Sequence, residues 1–281
     1  MTATLYKGST SSFEAAQSAA VYEAVLTVLG ATGTIVPLGD PTYRTGATTN
    51  TCAAGITGLP TAVFTASEAP ESFDTPPTRQ GICPIINFNE SDEYFTSPDA
   101  AYWSRDDSGA APVSMGAWVW LSATAGNRTL LSKYDNGNGR EWLLYFSTSH
   151  DLHFIVRDES ASAPHDMSTD VALATGRWVH VTVTYDGSGG ANPLAGANAV
   201  IYVDGSAVAD SVSADGTYVA MENGTGTVSI GSDQGNGSSA RRFYFGGAMA
   251  GGATGPFFTQ IELTAEQVKN IYRLQKAALA L

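Results

Sequence analysis

From Ile85 onward apolar and polar residues alternate along the chain with a period of two. That spacing sends successive side chains to opposite faces of a strand. In residues 114–121, Met115, Ala117, Val119 and Leu121 share one face, and Gly116, Trp118 and Trp120 share the other. Residues 151–157 repeat the pattern with Leu152, Phe154 and Val156, and residues 178–185 with Val179, Val181, Val183 and Tyr185. Residues 85–88, 93–95, 128–133, 141–147, 200–203 and 228–230 are further strand-like runs. Turn formers punctuate them. Asp135-Asn136-Gly137-Asn138-Gly139 separates two runs, and Tyr185-Asp186-Gly187 and Val203-Asp204-Gly205 read as hairpin turns. Glycine accepts positive φ there, and Asp caps its own turn. Many short alternating strands predict an all-β, two-sheet antiparallel sandwich.

The two ends follow other rules. Residues 13–29 place Phe13, Ala16, Ala20, Ala24, Leu26 and Leu29 at helical spacing, with Ser11 or Ser12 as cap and Gly30 as stop. One helix is predicted there. Between Gly30 and Arg79, short apolar pieces such as Thr34-Ile35-Val36 and Ala62-Val63-Phe64 are broken by Gly39-Asp40-Pro41, Gly58-Leu59-Pro60 and Pro76-Pro77. Residues 1–83 therefore read as an N-terminal arm or small subdomain, and residues 84–281 as the main domain. Near the C-terminus Thr264 is a good N-cap and Gln267 completes a capping box, so a short helix follows, with Val268, Ile271, Tyr272 and Leu274.

Composition narrows the functional classes. Hydrophobic residues make up 43% and charged residues 15% of 281, with 30 glycines, a mixture suited to strands and turns rather than a helical bundle. The formal net charge of -13 gives no basic footprint for nucleic acid. No stretch is apolar over the length a bilayer requires, so no membrane insertion is expected. Residues 1–30, with Lys7 as their one basic residue, lack the signal-peptide pattern. Cys52 and Cys83 leave two states open: a disulfide worth about 3 kcal/mol in the chain-entropy model, or two buried thiols.

Seven pieces then occur in a recognisable order. They are Phe88-Asn89-Glu90-Ser91-Asp92-Glu93-Tyr94-Phe95; Met115-Gly116-Ala117-Trp118-Val119; Leu130-Leu131-Ser132-Lys133-Tyr134-Asp135 with Arg140-Glu141-Trp142-Leu143-Leu144-Tyr145; Gly176-Arg177-Trp178-Val179-His180-Val181 running to Thr184-Tyr185-Asp186-Gly187; Ile201-Tyr202-Val203-Asp204-Gly205; Val228-Ser229-Ile230-Gly231; and Leu263-Thr264-Ala265-Glu266-Gln267-Val268. Together they resemble the laminin-G-like jelly-roll domains of the concanavalin A-like superfamily, over roughly residues 84–277. The resemblance implies two facing antiparallel sheets with loops gathered at one rim. Trp118, Trp142 and Trp178 are expected to fill the core between them, and His180, out of phase with its valines, to be half exposed.

The chemistry that such a scaffold can carry was sought residue by residue. Glycosidases on this scaffold place two carboxylates on one strand face, one to protonate and one to attack or activate water. Asp92-Glu93, Asp106-Asp107 and Asp158-Glu159 are adjacent pairs, which face opposite ways on a strand. No catalytic residue is therefore assigned, and a non-enzymatic protein is expected. Many relatives hold a structural calcium through an acid in the last strand. Residues 249–258 contain none. No cofactor is expected; if calcium binds, Asp135 and Asn136, or Asp166 and Asp170, are the rim-loop ligands on offer.

Two functional classes remain. One is a structural protein of an extracellular particle, such as a viral capsid decoration or virion appendage protein, attached to other protein subunits (homo-oligomeric copies included) through its N-terminal arm. The other is a lectin-like glycan-binding or adhesion module. Tyr134, Asp135, Asn136, Asn138 and Arg140 are its candidate sugar contacts.

Overall fold

The computed structural model describes residues 12–39, 44–45, 49–51, 53–54, 63–67, 81–105, 111–123, 126–234 and 241–281. Cys52 lies outside them, and with it the disulfide question; Cys83 is buried. The chain begins with α1 (Ser12–Leu29), β1 (Thr34–Ile35), β2 (Arg44–Thr45), β3 (Thr49–Thr51), β4 (Ala53–Ala54) and β5 (Val63–Ala66). Then come β6 (Ile85–Asn89), β7 (Phe95–Ser97), β8 (Val113–Leu121), β9 (Arg128–Asp135), β10 (Gly139–Phe146), β11 (Leu152–Asp158) and β12 (Ala163–Thr169). The rest are β13 (Trp178–Tyr185), β14 (Ala199–Val203), β15 (Ser206–Ala207), β16 (Asp210–Ala214), β17 (Val228–Ile230), β18 (Gly246–Ala250), β19 (Phe257–Thr259) and α2 (Ala265–Ala278). No helix among the described residues is long and apolar enough to cross a membrane.

The strands form two antiparallel sheets. The nine-stranded sheet runs β15-β14-β13-β8-β19-β1-β4, with β18 joining β8 to β6, and the ten-stranded sheet runs β16-β12-β11-β10-β9-β17-β7-β5-β3-β2. This is the jelly-roll sandwich that the alternation predicts. Its main core takes Met115, Ala117 and Val119 from β8, Val179, Val181 and Val183 from β13, Trp142, Leu144 and Phe146 from β10, and Leu152, Phe154 and Val156 from β11. Gly116 is required where it stands, because a Cβ there would lie 2.4 Å from the Val181 carbonyl oxygen and 2.8 Å from the Phe257 ring. Asp204 and Gly205, at φ of 50° and 75°, make the two-residue hairpin between β14 and β15. The Tyr185-Asp186-Gly187 turn instead opens a longer loop, with Asp186 Oδ1 accepting from the Ser188 amide at 2.7 Å.

Both helices form where the end signals place them. The Thr264 side chain accepts from Gln267 N, and the Gln267 side chain accepts from Thr264 N, closing the capping box. α1 ends at Gly30, whose φ is 76°. The side of α1 that is buried carries Tyr22, Val25 and Leu29, while Ala16 and Ala20 are exposed, contrary to the predicted apolar face. The helices pack together on the outer face of the nine-stranded sheet. That cover corrects three expectations. Trp118 and Trp178 do not fill the space between the sheets: they lie on the outer face with Ala278 and Leu279, and Trp118 stacks on Tyr272 of α2 at 5.5 Å. His180 is fully buried there, with rings of Trp118, Phe257 and Tyr272 around it. Burial pushes its pKa down to about 4, with Asp204 offsetting part of the shift. Trp142 does lie between the sheets.

Parts of the N-terminal segment are sheet members. β1 sits between β19 and β4, with Thr34 opposite Phe258, and β5 pairs with β7. Thr259 Oγ1 donates to the Leu29 carbonyl at 2.8 Å, and Tyr102 Oη to that of Thr32 at 2.7 Å. The helices thus cover one outer face of the sandwich. The outer face of the ten-stranded sheet carries no helix among the described residues, and Tyr145, His153, Ile155 and Asp166 there are half-buried.

Candidate binding face on the ten-stranded sheet

The site follows from strand parity. On β11, Leu152, Phe154 and Val156 point into the core, so His153, Ile155 and Arg157 point outward. On β12, Met167 is in the core and Asp166 and Ser168 face out. On β10, Trp142, Leu144 and Phe146 face in and Leu143 and Tyr145 face out. A register shift between Arg140 and Trp142 turns Arg140 outward as well. Residues 241–245 run across the same face, held by the Thr129 amide on the Phe243 carbonyl at 2.8 Å and by paired backbone bonds between Asp233 and Arg242.

These elements assemble a continuous row from three strands and the segment beside them. His153 Nδ1 lies 3.0 Å from both Asp166 carboxylate oxygens. The His153 and Tyr145 rings stack at 4.7 Å, and those of Tyr145 and Phe243 at 6.1 Å. The Arg242 guanidinium lies 4.3 Å over the Phe243 ring and donates through Nε to Asp233 Oδ1 at 3.1 Å. Each ring contact contributes about 1 kcal/mol beyond burial, and the cation over the ring a similar amount. The members therefore hold one another in place; Tyr145, His153, Asp166, Arg242 and Phe243 are half-buried, and Asp233 is fully buried beneath Arg242. Tyr145 keeps its proton throughout the physiological range: burial raises its pKa first, and the Asp166 charge adds to it.

A second network lies beside the row. Arg140 makes a bidentate pair with Glu159 at 2.8 Å and 2.8 Å, and Arg157 Nε donates to Glu159 at 2.7 Å. Burial works against the Glu159 charge, but the two arginines outweigh it and hold the carboxyl below its usual range. Tyr134 stands opposite Arg140 in the register, and burial raises its pKa despite the nearby Arg157 and Arg140. Glycosidic chemistry needs a carboxylic acid that keeps its proton near neutrality, and Glu159 and Asp233 are each held by an arginine. Glu141, pushed up to about 7 chiefly by burial, is shut away with Lys133. Asp158, the last residue of β11, turns to the Ala161 and Val219 amides, while Glu159 lies in the turn that follows.

Of the residues singled out from the sequence, Tyr134, Arg140 and Asp166 belong to this face. Asp135 serves its own turn, accepting from Gly137 N at 2.9 Å and Asn138 Nδ2 at 2.8 Å. Asn136 N donates to the Gln234 carbonyl at 3.4 Å, and Asn138 is exposed at the tip. Asp170 accepts from Ser211 at 2.6 Å. Asp135 and Asn136 lie in one turn, Asp166 is on β12 and Asp170 just beyond it, and no group of three or more His, Cys, Asp or Glu able to hold a metal occurs among the described residues. Tyr145, His153, Asp233, Arg242 and Phe243 were not singled out from the sequence. The signal available was the polar and aromatic complement to the apolar alternation on β10, β11 and β12; the crossing segment left none.

Residues 89–255 match the family model of the concanavalin A-like lectin/glucanases superfamily. No curated protein matches the sequence. Among solved structures, the binding domain of botulinum neurotoxin serotype G superposes with a TM-score of 0.55 at 13% identity, over 88% of this chain and 52% of that one. The serotype D ligand binding domain in complex with N-acetylneuraminic acid gives 0.54 at 12%, over 92% and 52%. The binding domain of paraclostridial mosquitocidal protein 1 gives 0.57 at 10%, over 85% and 52%. The chain spans about half the length of these domains, and at such identities the likeness is one of fold.

Proposed function

Since the chain belongs to the concanavalin A-like lectin/glucanases superfamily, we propose that it is a non-enzymatic glycan-binding module of an extracellular protein, and that the outer face of the ten-stranded sheet receives the sugar. The observation that carries this reading is the Asp166–His153–Tyr145–Phe243–Arg242–Asp233 row. Sugars present ring C–H groups beside dense hydroxyls, and they are held by rigid aromatic surface next to fixed donors and acceptors. The row supplies both, and its mutual contacts set its geometry before any ligand arrives. One structure that shares the fold is itself a complex with N-acetylneuraminic acid. The test is a glycan array probed with the intact chain and with Tyr145→Ala and Arg242→Ala. Binding that both substitutions remove supports the assignment. A blank array, or binding indifferent to both, refutes it.

A second reading places the module on an extracellular particle, as a viral capsid decoration or appendage subunit. The outward side of α1 favours it, with Ala16, Ala19 and Ala20 exposed and Glu23 the one charge in residues 16–29. Such a side suits a protein neighbour. Ala20→Arg should then abolish assembly onto the particle while leaving the fold intact; unchanged assembly removes this reading.

A further inference from the structure

The segment that crosses the binding face looks two ways. Arg242 and Phe243 enter the row, while Arg241 and Tyr244 lie on the other side, against β17 and β7. Arg241 Nη1 donates to Ser229 Oγ at 2.6 Å and Ser232 Oγ at 2.9 Å, and Nη2 to Thr227 Oγ1 at 3.4 Å. Its guanidinium lies 4.1 Å from the centre of the Tyr94 ring, and the Tyr94 and Tyr244 rings stand 6.1 Å apart.

The hydrogen-bond partners of Arg241 are uncharged, as are those of the fully buried Arg128. Arg140, Arg157, Arg177 and Arg242 each meet a carboxylate within salt-bridge distance. Arg241 meets none among the described residues, although the chain as a whole carries a net charge of -13. Hydroxyls orient a guanidinium without neutralising it, and a ring face offers only a partial negative potential. Burial weighs against the charge and lowers its pKa, with Tyr94, Tyr244 and, least, Asp135 offsetting part of the shift. A partly buried, oriented cation that meets no carboxylate among the described residues is favourable ground for an anion. Nη1 is committed to two serines and Nη2 to a threonine, and the guanidinium is a planar fork of the kind that matches a carboxylate.

We propose that Arg241, flanked by Tyr94 and Tyr244, binds the carboxylate of an acidic sugar, so that the module selects carboxylate-bearing glycans over neutral ones. This rests on the glycan-binding reading above and adds the substrate class. The probe is an array of matched glycans that differ only in bearing a terminal carboxylated sugar or its neutral counterpart, read with the intact chain, Arg241→Met and Arg241→Lys. Thermal melting of each variant confirms the fold. The expected result is about a tenfold preference for the acidic member, the scale of one charge-assisted bidentate contact. Arg241→Met should lose the preference while keeping neutral-glycan binding, and Arg241→Lys should retain a fraction of it. Equal binding of both members by the native chain, or a preference that survives Arg241→Met, overturns the inference and leaves the glycan-binding reading standing. A blank array overturns both.

Discussion

Lys133 and Glu141 form an ion pair whose side chains are 0% and 1% exposed. Lys133 Nζ donates to the Glu141 carboxylate, lies 3.1 Å from Asp99, and donates to the Gly224 carbonyl at 2.6 Å. Glu141 Oε1 also accepts from Gly224 N at 3.0 Å and Ser104 Oγ at 3.3 Å, whereas Oε2 has no hydrogen-bond partner. Substituting Lys133→Met leaves a buried carboxylate with two neutral donors. The expected cost above pH 7 is about 3–5 kcal/mol, the scale for breaking a buried pair from one side. Adding Glu141→Leu to Lys133→Met removes the stranded charge and should recover most of that loss, because apolar replacement of a whole pair is often neutral.

The penalty should also depend on pH. Glu141 has a folded pKa raised from 4.5 to about 7. A raised acid favours the folded state below its unfolded pKa, and that contribution is lost as pH rises through the folded one. Without Lys133 the folded pKa rises further, so the cost of Lys133→Met should shrink as pH falls from 8 toward 5. Urea melts of native, single and double variants at each pH measure it, and subtraction at equal pH cancels every other titrating group. A single-variant cost below about 1 kcal/mol at pH 8, or one that does not change with pH, refutes the reasoning.

Three further outcomes are expected. Glycan binding should be unchanged by EDTA, since no group of three or more His, Cys, Asp or Glu able to hold a metal occurs among the described residues; its loss on chelation and return with calcium would show a metal site. His180, with a pKa lowered from 6.5 to about 4, should make stability fall as pH drops from 6.5 to 4, because the unfolded chain takes up the proton first. His180→Leu should flatten that fall in pH-dependent denaturation. Trp118→Ala should cost about 3–5 kcal/mol in the same assay, with its loss centred on α2, whose amides should lose hydrogen-exchange protection.

The alternating strands and the capping box of α2 were legible because their signals are local. Met115, Ala117 and Val119 need only their neighbours in sequence to declare a face, as do Thr264 and Gln267. Trp118, Trp178 and His180 were misplaced because alternation separates two faces without saying that the second is also covered. The cover comes from α2, about a hundred residues downstream of His180. The binding row was illegible for a related reason. Tyr145 and His153 meet through cross-strand register, and Phe243 and Arg242 reach them on an irregular crossing that carries no periodic trace. In the turn at Asp135, local chemistry was read correctly as a turn, and the same residues were also offered as sugar contacts because both roles use Asp and Asn.

The insertion of β1 between β19 and β4 has a consequence for biosynthesis. Thr34 waits for Phe258, made more than two hundred residues later, before it finds its partner. Strand β8 likewise leaves one edge unpaired until β18 and β19 emerge from the ribosome. Closing so long a loop is slow, and an open, apolar sheet edge can join a neighbour's in the interval. The nascent chain is therefore most vulnerable to aggregation until β18 and β19 have been made, and removing those two strands should harm yield far more than their few lost contacts suggest.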